Sequence, residues 1–484
     1  MSVDTAEHGY YDEDSVVSLT GRGRTSPTTA LLLRPRSPDE VAAAVRGSLA
    51  GERGAIARGL GRTCGDAAQN AGGAVLDMTG LDRIRALDVT AGVVVCEAGL
   101  SLRRLLEVLL PLGWCLPVTP VSGGYGVTVG GAIGADAEGA NHPAAGSFSA
   151  HVSALELLTA DGERRTAVPG TPLFDATAGG LGLTGVILSA TLRLRRVATS
   201  LMVVDTERAT DLDDLFARLT LGDPAAPAVL AAPECDSAPE YPRGYAVAWL
   251  DPLARGAELG RAVLVRGEHA PLSALPARAR RRPLLFRPGR RDGLSALVPP
   301  PGLPGRAAAG LVNGVWYRTA PRLRTGELRR FPVFGRPPGD AVPWHRLPGP
   351  GRGGFVRYRF TVGYGREETL RRIVERLALH GGPAFPAALT RFGTAGAGWL
   401  SFPAPGWSLT VELPADPAGL GPLLDGLDEE VVAAGGRVAL AQDARIRPEL
   451  LAAMYPRLAD FRALRAEWDP RSVFTSDLSR RLSL

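Results

Sequence analysis

Apolar positions along the first two hundred residues keep switching between a period of two and a helical period. Residues 74–78 and 93–96 are short apolar strand-like runs and 101–110 reads as a helix, so the stretch from about residue 31 to 196 predicts an α+β unit of alternating strands and helices. From about 198 to 400 strand-like segments dominate, among them Tyr245–Leu250 and Phe355–Val362. Between 272 and 353 the chain is crowded with Pro, Gly and Arg and is expected to form long mobile loops. Two helical patterns, 420–434 and 447–468, close the chain, the second ending at Asp469-Pro470.

The strands carry information about faces. In residues 407–413 Trp407, Leu409, Val411 and Leu413 alternate with Ser408, Thr410 and Glu412. In Phe355–Val362 the apolar Val356, Tyr358, Phe360 and Val362 oppose Arg357 and Arg359. Such polar faces either meet solvent or line a pocket.

With 484 residues, 45% hydrophobic and 22% charged, the composition is that of a globular chain of two or three domains. No run of eighteen apolar residues occurs, and the acidic N-terminal stretch lacks the pattern of a signal peptide, so a cytoplasmic protein is expected. Cys64, Cys96, Cys115 and Cys235 are far apart, which suggests neither a zinc site nor a disulfide framework, and no metal is expected. The net charge is +5, yet all 55 basic residues are Arg. Without Lys, Schiff-base and P-loop chemistry are excluded, and the scattered arginines offer no nucleic-acid platform.

Three glycine-rich segments lie in the first 190 residues: 58–66 (RGLGRTCGD), 120–131 (PVSGGYGVTVGG) and 180–185 (GLGLTG). Glycines let a backbone approach a phosphate and turn successive N–H groups into an anion nest, although either of the first two loops alone reads first as a tight turn. The third matches G-x-G-x-x-G letter for letter. Its context is wrong for a nicotinamide site, because residues 172–178 read as a helix before it and 186–195 as a strand after it, the reverse of the order that motif requires.

These loops, with the ordered motifs around them, resemble the decaprenylphosphoryl-ribose oxidases of the vanillyl-alcohol-oxidase (PCMH-type) superfamily. The resemblance rests on RGLGRTCGDAAQN (58–70), VTVGGAI (127–133), Asn141-His142 followed by AGSF (145–148), LLTADGE (157–163) and GLTG (182–185). It continues in Leu259-Gly-Arg261, Val315-Trp-Tyr-Arg318, SFPAPGW (401–407), AMYPR (453–457) and SDLSRRL (476–482). It implies a flavoenzyme with a split FAD-binding domain, residues 1–196 and 413–484, and an inserted antiparallel-sheet substrate domain, residues 197–412.

FAD would be held by Arg58, Gly59, Leu60, Gly61, Arg62, Thr63, Cys64, Gly65 and Asp66 of the first loop. Ser122, Gly123, Val127, Thr128, Val129, Gly130, Gly131, Gly134 and Ala135 would contribute from the second, and Gly185 and Val186 would meet the adenine end. Arg62 stands where covalent relatives have the flavin-linking His, so noncovalent FAD is implied. Trp249 and Tyr317 match retained pocket aromatics.

Around the substrate this chain departs from the family pattern. Glu138 replaces a His, Cys64 a Tyr and Gln442 a Lys; Ser408 and Thr410 replace Asn and Cys; Arg357 and Arg359 replace two Gln. Glu138, Gln442, Ser408 and Thr410 are therefore the catalytic candidates, with Trp249, Tyr317, Arg357 and Arg359 toward the substrate.

Three functions remain open on these residues. The first is oxidation of a secondary alcohol of a sugar or glycosylated intermediate, with oxygen or another electron acceptor. The second is oxidation or oxidative decarboxylation of an anion clamped by Arg357 and Arg359. The third is a flavin-binding protein without turnover. The segment 278–291, with seven arginines around Leu284-Leu-Phe286, reads as a lid over the substrate or, at most, a peripheral membrane contact.

Overall fold

A computed structural model describes residues 16–48, 53–120, 126–220, 244–286, 306–331, 354–380, 386–415, 419–443 and 445–484. Among them the chain forms three sheets of four or more strands. The first runs Val16–Leu19, Thr28–Leu33, Ala74–Asp77, Ala55–Arg58, with its last three strands parallel. The second is antiparallel, in the order Ile84–Asp88, Val93–Glu97, Val186–Arg193, Val152–Leu158, Arg164–Ala167. The third has eight antiparallel strands: Leu323–Arg330, Leu201–Ala209, Ala262–His269, Tyr245–Leu250, Ala387–Phe392, Gly406–Pro414, Phe355–Val362 and Arg437–Val438. Helices and sheets are thus mixed as the α+β expectation requires.

The two faces of this large sheet enter different cores, as the two-residue period dictates. Ala248 and Leu250 join Leu409, Val411, Tyr358 and Phe360 under the helices Leu212–Thr220, Glu367–His380 and Leu420–Ala433. Tyr245, Val247 and Trp249 turn the other way, into the core shared with the second sheet and the helix Leu102–Leu109. That helix starts on Ser101, whose side chain accepts from Arg104 N, and buries Leu102, Leu105, Leu106 and Leu109 on one stripe. The chain's end returns to its beginning: Phe474 bridges Ala55, Asp477 accepts from Thr28 Oγ1 at 2.8 Å, and Arg481 grips Asp66 through two 3.0 Å bonds.

Three expectations change. The helix expected over 447–468 is broken into Leu451–Met454 and Leu458–Trp468, because Pro456 has no N–H to continue the ladder and holds Tyr455 extended. The stretch expected as loops contains a helix, Arg306–Thr319, and the edge strand Leu323–Arg330, while residues 287–305 and 332–353 lie outside the described ones. The division expected at 412/413 cuts through the large sheet's own layer. The helix Leu420–Ala433 packs on Glu367–His380 and Arg437–Val438 adds the last strand, so the chain leaves this layer only after Val438.

Candidate active site

The first glycine loop leaves the Ala55–Arg58 strand through turns that exclude side chains. A Cβ on Gly59 would lie 2.3 Å from Thr128 Oγ1, and Gly61, at φ +61°, would place one 2.3 Å from Arg58 Nη2. Arg58 donates to Thr20 O (2.7 Å) and Ala68 O (3.0 Å), holding the loop open. Arg62 Nε donates to Gly126 O at 2.8 Å, and Thr128 caps the short helix Val129–Gly134 by accepting from Gly131 N at 3.1 Å. The two glycine loops are thereby locked together.

Between them lies a cleft that is partly open to solvent. Of the residues expected at the cofactor, Arg58, Gly59, Leu60, Gly61, Arg62, Thr63, Val127, Thr128, Gly130, Gly131, Gly134, Ala135 and Gly185 line it. Ser122 and Gly123 lie outside the described residues. Five others stand behind the wall. Cys64 is buried, its carbonyl packed under Gly21 and Gly23, and burial pushes its thiol up. Gly65 follows it beneath Gly21; Asp66 is turned to Arg481; Val129 and Val186 are core residues. The glycine motif 180–185 does sit between a helix, Pro172–Thr177, and a strand, Val186–Arg193, and it lends Leu181, Gly182 and Gly185 to the cleft.

Where the cleft meets the large sheet, Glu138, Arg359, Phe402, Ala439 and Gln442 close it. Register explains which sheet residues come together. Trp249 stands opposite Ala388, Ala388 opposite Thr410, and Thr410 opposite Arg359, so four neighbouring strands present one row on one face. The row continues through Val263 to Arg208, over whose guanidinium side Tyr317 lies at 5.4 Å. At the usual strand spacing Arg208 is roughly 24 Å from Arg359. Trp249 and Tyr317 therefore belong to the face but do not line the cleft; Tyr317 spends its hydroxyl on Ala209 O at 3.1 Å.

The two arginines do not form a clamp. Arg357 pairs with Glu412, directly opposite it in register, and does not line the cleft. Arg359 pairs with Glu138, which comes from the loop after the second glycine segment; both side chains are about a tenth exposed. Each guanidinium already has its carboxylate, so the expectation that an anion must lie between them loses its premise.

Glu138 is held by a bridge to Ser147 and by its neighbour Asp136, which accepts from Ser147 Oγ (2.8 Å), Ser149 N (3.1 Å) and Ser401 Oγ. Burial raises the Glu138 carboxyl above the ordinary range, with Arg359 pulling it back. His142, one turn further, accepts from Gly393 N through Nδ1 at 3.2 Å and is pressed down to about 4 by burial, then by Arg359, so it stays neutral. Asp136 and His142 are not among the expected site residues; the signal for His142 is its place in the Asn141-His142 motif, and Asp136 lies between two motifs, in none of them. Ser408 and Thr410 line the sheet face rather than the cleft, Ser408 wholly buried and Thr410 half-buried.

Several buried polar atoms here have no protein partner: Thr63 Oγ1, Arg359 Nε and Gln442 Oε1 on the cleft wall, and Ser408 Oγ, Thr361 Oγ1 and Trp249 Nε1 on the sheet face. Such atoms are costly unless a ligand or water satisfies them. A long cleft with glycine nests, apolar walls of Met78, Ala98 and Ile187, and a polar end fits a flavin dinucleotide. Among the described residues no group of His, Cys, Asp and Glu is arranged to hold a metal.

Comparison with known proteins agrees. An FAD binding domain family matches residues 29–167. The decaprenylphosphoryl-beta-D-ribose oxidase of Mycolicibacterium smegmatis is 38% identical over 470 residues, 96% of this chain and 97% of that one. An uncharacterized protein in the mprA 5' region of Streptomyces coelicolor is 52% identical over 403 residues, 80% of this chain and 100% of its own. An oxidoreductase from the fasciation locus of Rhodococcoides fascians is 33% identical over 162 residues, 33% of this chain and 36% of its own. Taken with the cleft, these likenesses place the chain in the family of decaprenylphosphoryl-ribose-oxidase-like FAD-dependent oxidoreductases, with FAD as its cofactor.

Proposed function

We propose that this protein oxidises a secondary alcohol of a sugar or glycosylated intermediate. In this reading residues 1–196 and the C-terminal segment form a split FAD-binding unit, and the large sheet between them carries the substrate face. The relative from Mycolicibacterium smegmatis bears the name of a ribose oxidase. The departure from the family pattern at seven positions, 64, 138, 357, 359, 408, 410 and 442, argues for a different sugar here. Bound FAD supplies a two-electron acceptor for the carbon–hydrogen bond. The chain's own residues supply the rest: Glu138 takes the hydroxyl proton, and Gln442 on the cleft wall and Thr410 on the adjoining sheet face offer hydrogen bonds to neighbouring hydroxyls. Oxygen or another acceptor completes turnover.

The observation that carries this reading is Glu138 itself, a buried carboxylate of raised pKa on the cleft wall beside the substrate face. The pairing of both arginines supports a neutral reacting end over a carboxylate or phosphate. Replacing Glu138 by Gln is expected to keep FAD bound and to slow flavin reduction by roughly 10²–10⁴-fold, the usual worth of a general base. Stopped-flow reduction across a panel of sugars and glycosides measures it; unchanged reduction by the true substrate would remove Glu138 from this role.

A further inference from the structure

A redox cofactor that accepts electrons from a neutral alcohol acquires negative charge, and a low-dielectric cleft makes that charge expensive unless a cation answers it. The family pattern has a Lys at position 442 of this chain; here the residue is Gln442, which brings no charge. Among the described residues the ionisable side chains on the cleft wall are Arg58, Arg62, Glu138 and Arg359. Arg58 and Arg62 hold carbonyls of the glycine loops and their surroundings. At the large-sheet end only the Glu138–Arg359 pair remains, and its net charge is zero.

We propose that this pair is a charge relay: Arg359 is neutralised by Glu138 while the flavin is oxidised, and is released to balance the reduced flavin when Glu138 becomes protonated. The inference rests on the reading of Glu138 as the proton acceptor and adds a role for Arg359. Charges and atoms balance. The alcohol carbon would give up its hydrogen with two electrons to bound FAD, which would then carry the added negative charge. The hydroxyl proton moves to Glu138, a carbonyl forms, and Glu138 turns neutral. Arg359 keeps its positive charge throughout, so the site carries zero net charge before and after. Reoxidation by the electron acceptor and loss of the proton from Glu138 restore the pair.

The surroundings fit this exchange. Arg359 is anchored over Phe402, 4.9 Å from its ring centroid, and faces Phe392 at 5.9 Å, so it stays in place when its partner is neutralised. Its Nε is buried and has no protein partner. The other titratable groups near the pair are Asp136, bound by serines and a backbone N–H; His142, neutral; and Tyr455, whose hydroxyl donates to Val438 O at 2.6 Å. Glu138 is the group among them whose proton uptake changes the charge facing Arg359.

The test needs no substrate. On the FAD-loaded protein, the midpoint potential of the flavin is titrated against pH around neutrality, and sulfite, which adds to the flavin and leaves it anionic, serves as a probe of the positive charge. The wild type should take up two protons per two electrons while its reduced flavin shows the anionic spectrum, because the second proton goes to Glu138. Uptake of one proton, or a neutral reduced flavin, would overturn the relay on the wild type alone.

In Glu138→Gln the slope should drop to one proton, and sulfite should bind at least about tenfold tighter; in Arg359→Gln sulfite should bind at least about tenfold more weakly. Should either single variant lose its fold or its FAD, the paired Glu138→Gln/Arg359→Gln protein, which replaces ions by amides, should show the one-proton slope and weak sulfite binding. Wild-type sulfite affinity in an Arg359→Gln or doubly substituted holoprotein overturns the proposal. The two readings fail separately: slow substrate reduction in Glu138→Gln with an unchanged potential slope leaves the base and removes the relay. An altered slope with unchanged reduction does the reverse.

Discussion

At position 62 an arginine lines the cleft, its Nε fixed on Gly126 O at 2.8 Å. A guanidinium is a resident cation with donors on every edge and is a poor nucleophile, so it can hold a phosphate or a ring edge but not form the bond to the flavin methyl that a histidine makes in covalent relatives. The expected outcome is a cofactor held by contacts alone. Heating or acid precipitation should release yellow FAD into the supernatant, identified by its chromatographic mobility. Colour that stays with the precipitated protein would contradict it. Single residues also show what a sequence hides. The sequence makes Glu138 a catalytic candidate and Arg359 a candidate binder of anions, yet the structure makes them partners. Alternation assigned Arg359 to the polar side of its strand; nothing in the strand's own sequence says what lies over that side.

The elements that position the glycine loop are joined by a chain of charges. On the helix Leu420–Ala433, Asp428 accepts from Arg445 at 2.6 Å; Asp443 and Asp66 share Arg481, each at 3.0 Å. Asp428 is wholly buried, and burial raises its carboxyl to about 7 despite Arg445, with Asp443 and Asp425 adding to the rise and Tyr358 opposing it. Its folded value thus lies above the unfolded carboxylate range near 3.9. The folded state then binds more protons than the unfolded one between about 4 and about 7, so this residue's contribution to stability is fullest at the acid end and declines as pH rises through that window. Asp428→Asn removes the titration. Relative to wild type, the variant's urea midpoint should rise from mildly acidic to neutral pH, and a constant difference across that range would refute the assignment.

Much of this layer was legible beforehand. The strands Tyr245–Leu250 and Phe355–Val362 and the helix Leu420–Ala433 follow from periodicity, because each buries one face on a packed core. The carboxylate–arginine chain was not legible, because it joins side chains from distant segments that only the folded topology brings together. The break at Pro456 was legible in principle, since a proline inside a helical pattern stops it, but the apolar spacing on both sides concealed it.

For the molecule as a whole, the remaining question is whether its arginine-rich segment meets a lipid surface. No helix among the described residues is long and apolar enough to cross a membrane. The composition of 278–291 invites a surface contact, since arginines near an anionic surface add about 1 kcal/mol each and Leu284-Leu-Phe286 would supply the apolar insertion. The fold opposes the second half of that argument. Leu284 and Phe286 pack against the core shared by the second sheet and the large sheet, and Ser200 grips the segment, its N–H donating to Pro283 O and its hydroxyl to Leu285 O, both at 2.9 Å. Leu285 alone of the three apolar residues is exposed, at 48%. Arg280 is bent back onto Leu275 O and Ser273 O, which leaves Arg278, Arg281 and Arg282 as the outward charges among the described residues; Arg287, Arg290 and Arg291 lie beyond them. Among the described residues of this segment, three outward cations with Leu285 as the single exposed apolar side chain give at most a weak, salt-screened attraction. The protein is therefore expected to stay in the supernatant when mixed with vesicles rich in anionic lipid at physiological salt and then centrifuged. Pelleting that is abolished by raising the salt would show that arginines of this segment do bind lipid, and substituting Arg278, Arg281 and Arg282 by Gln would then reveal whether these three or the residues beyond them are responsible.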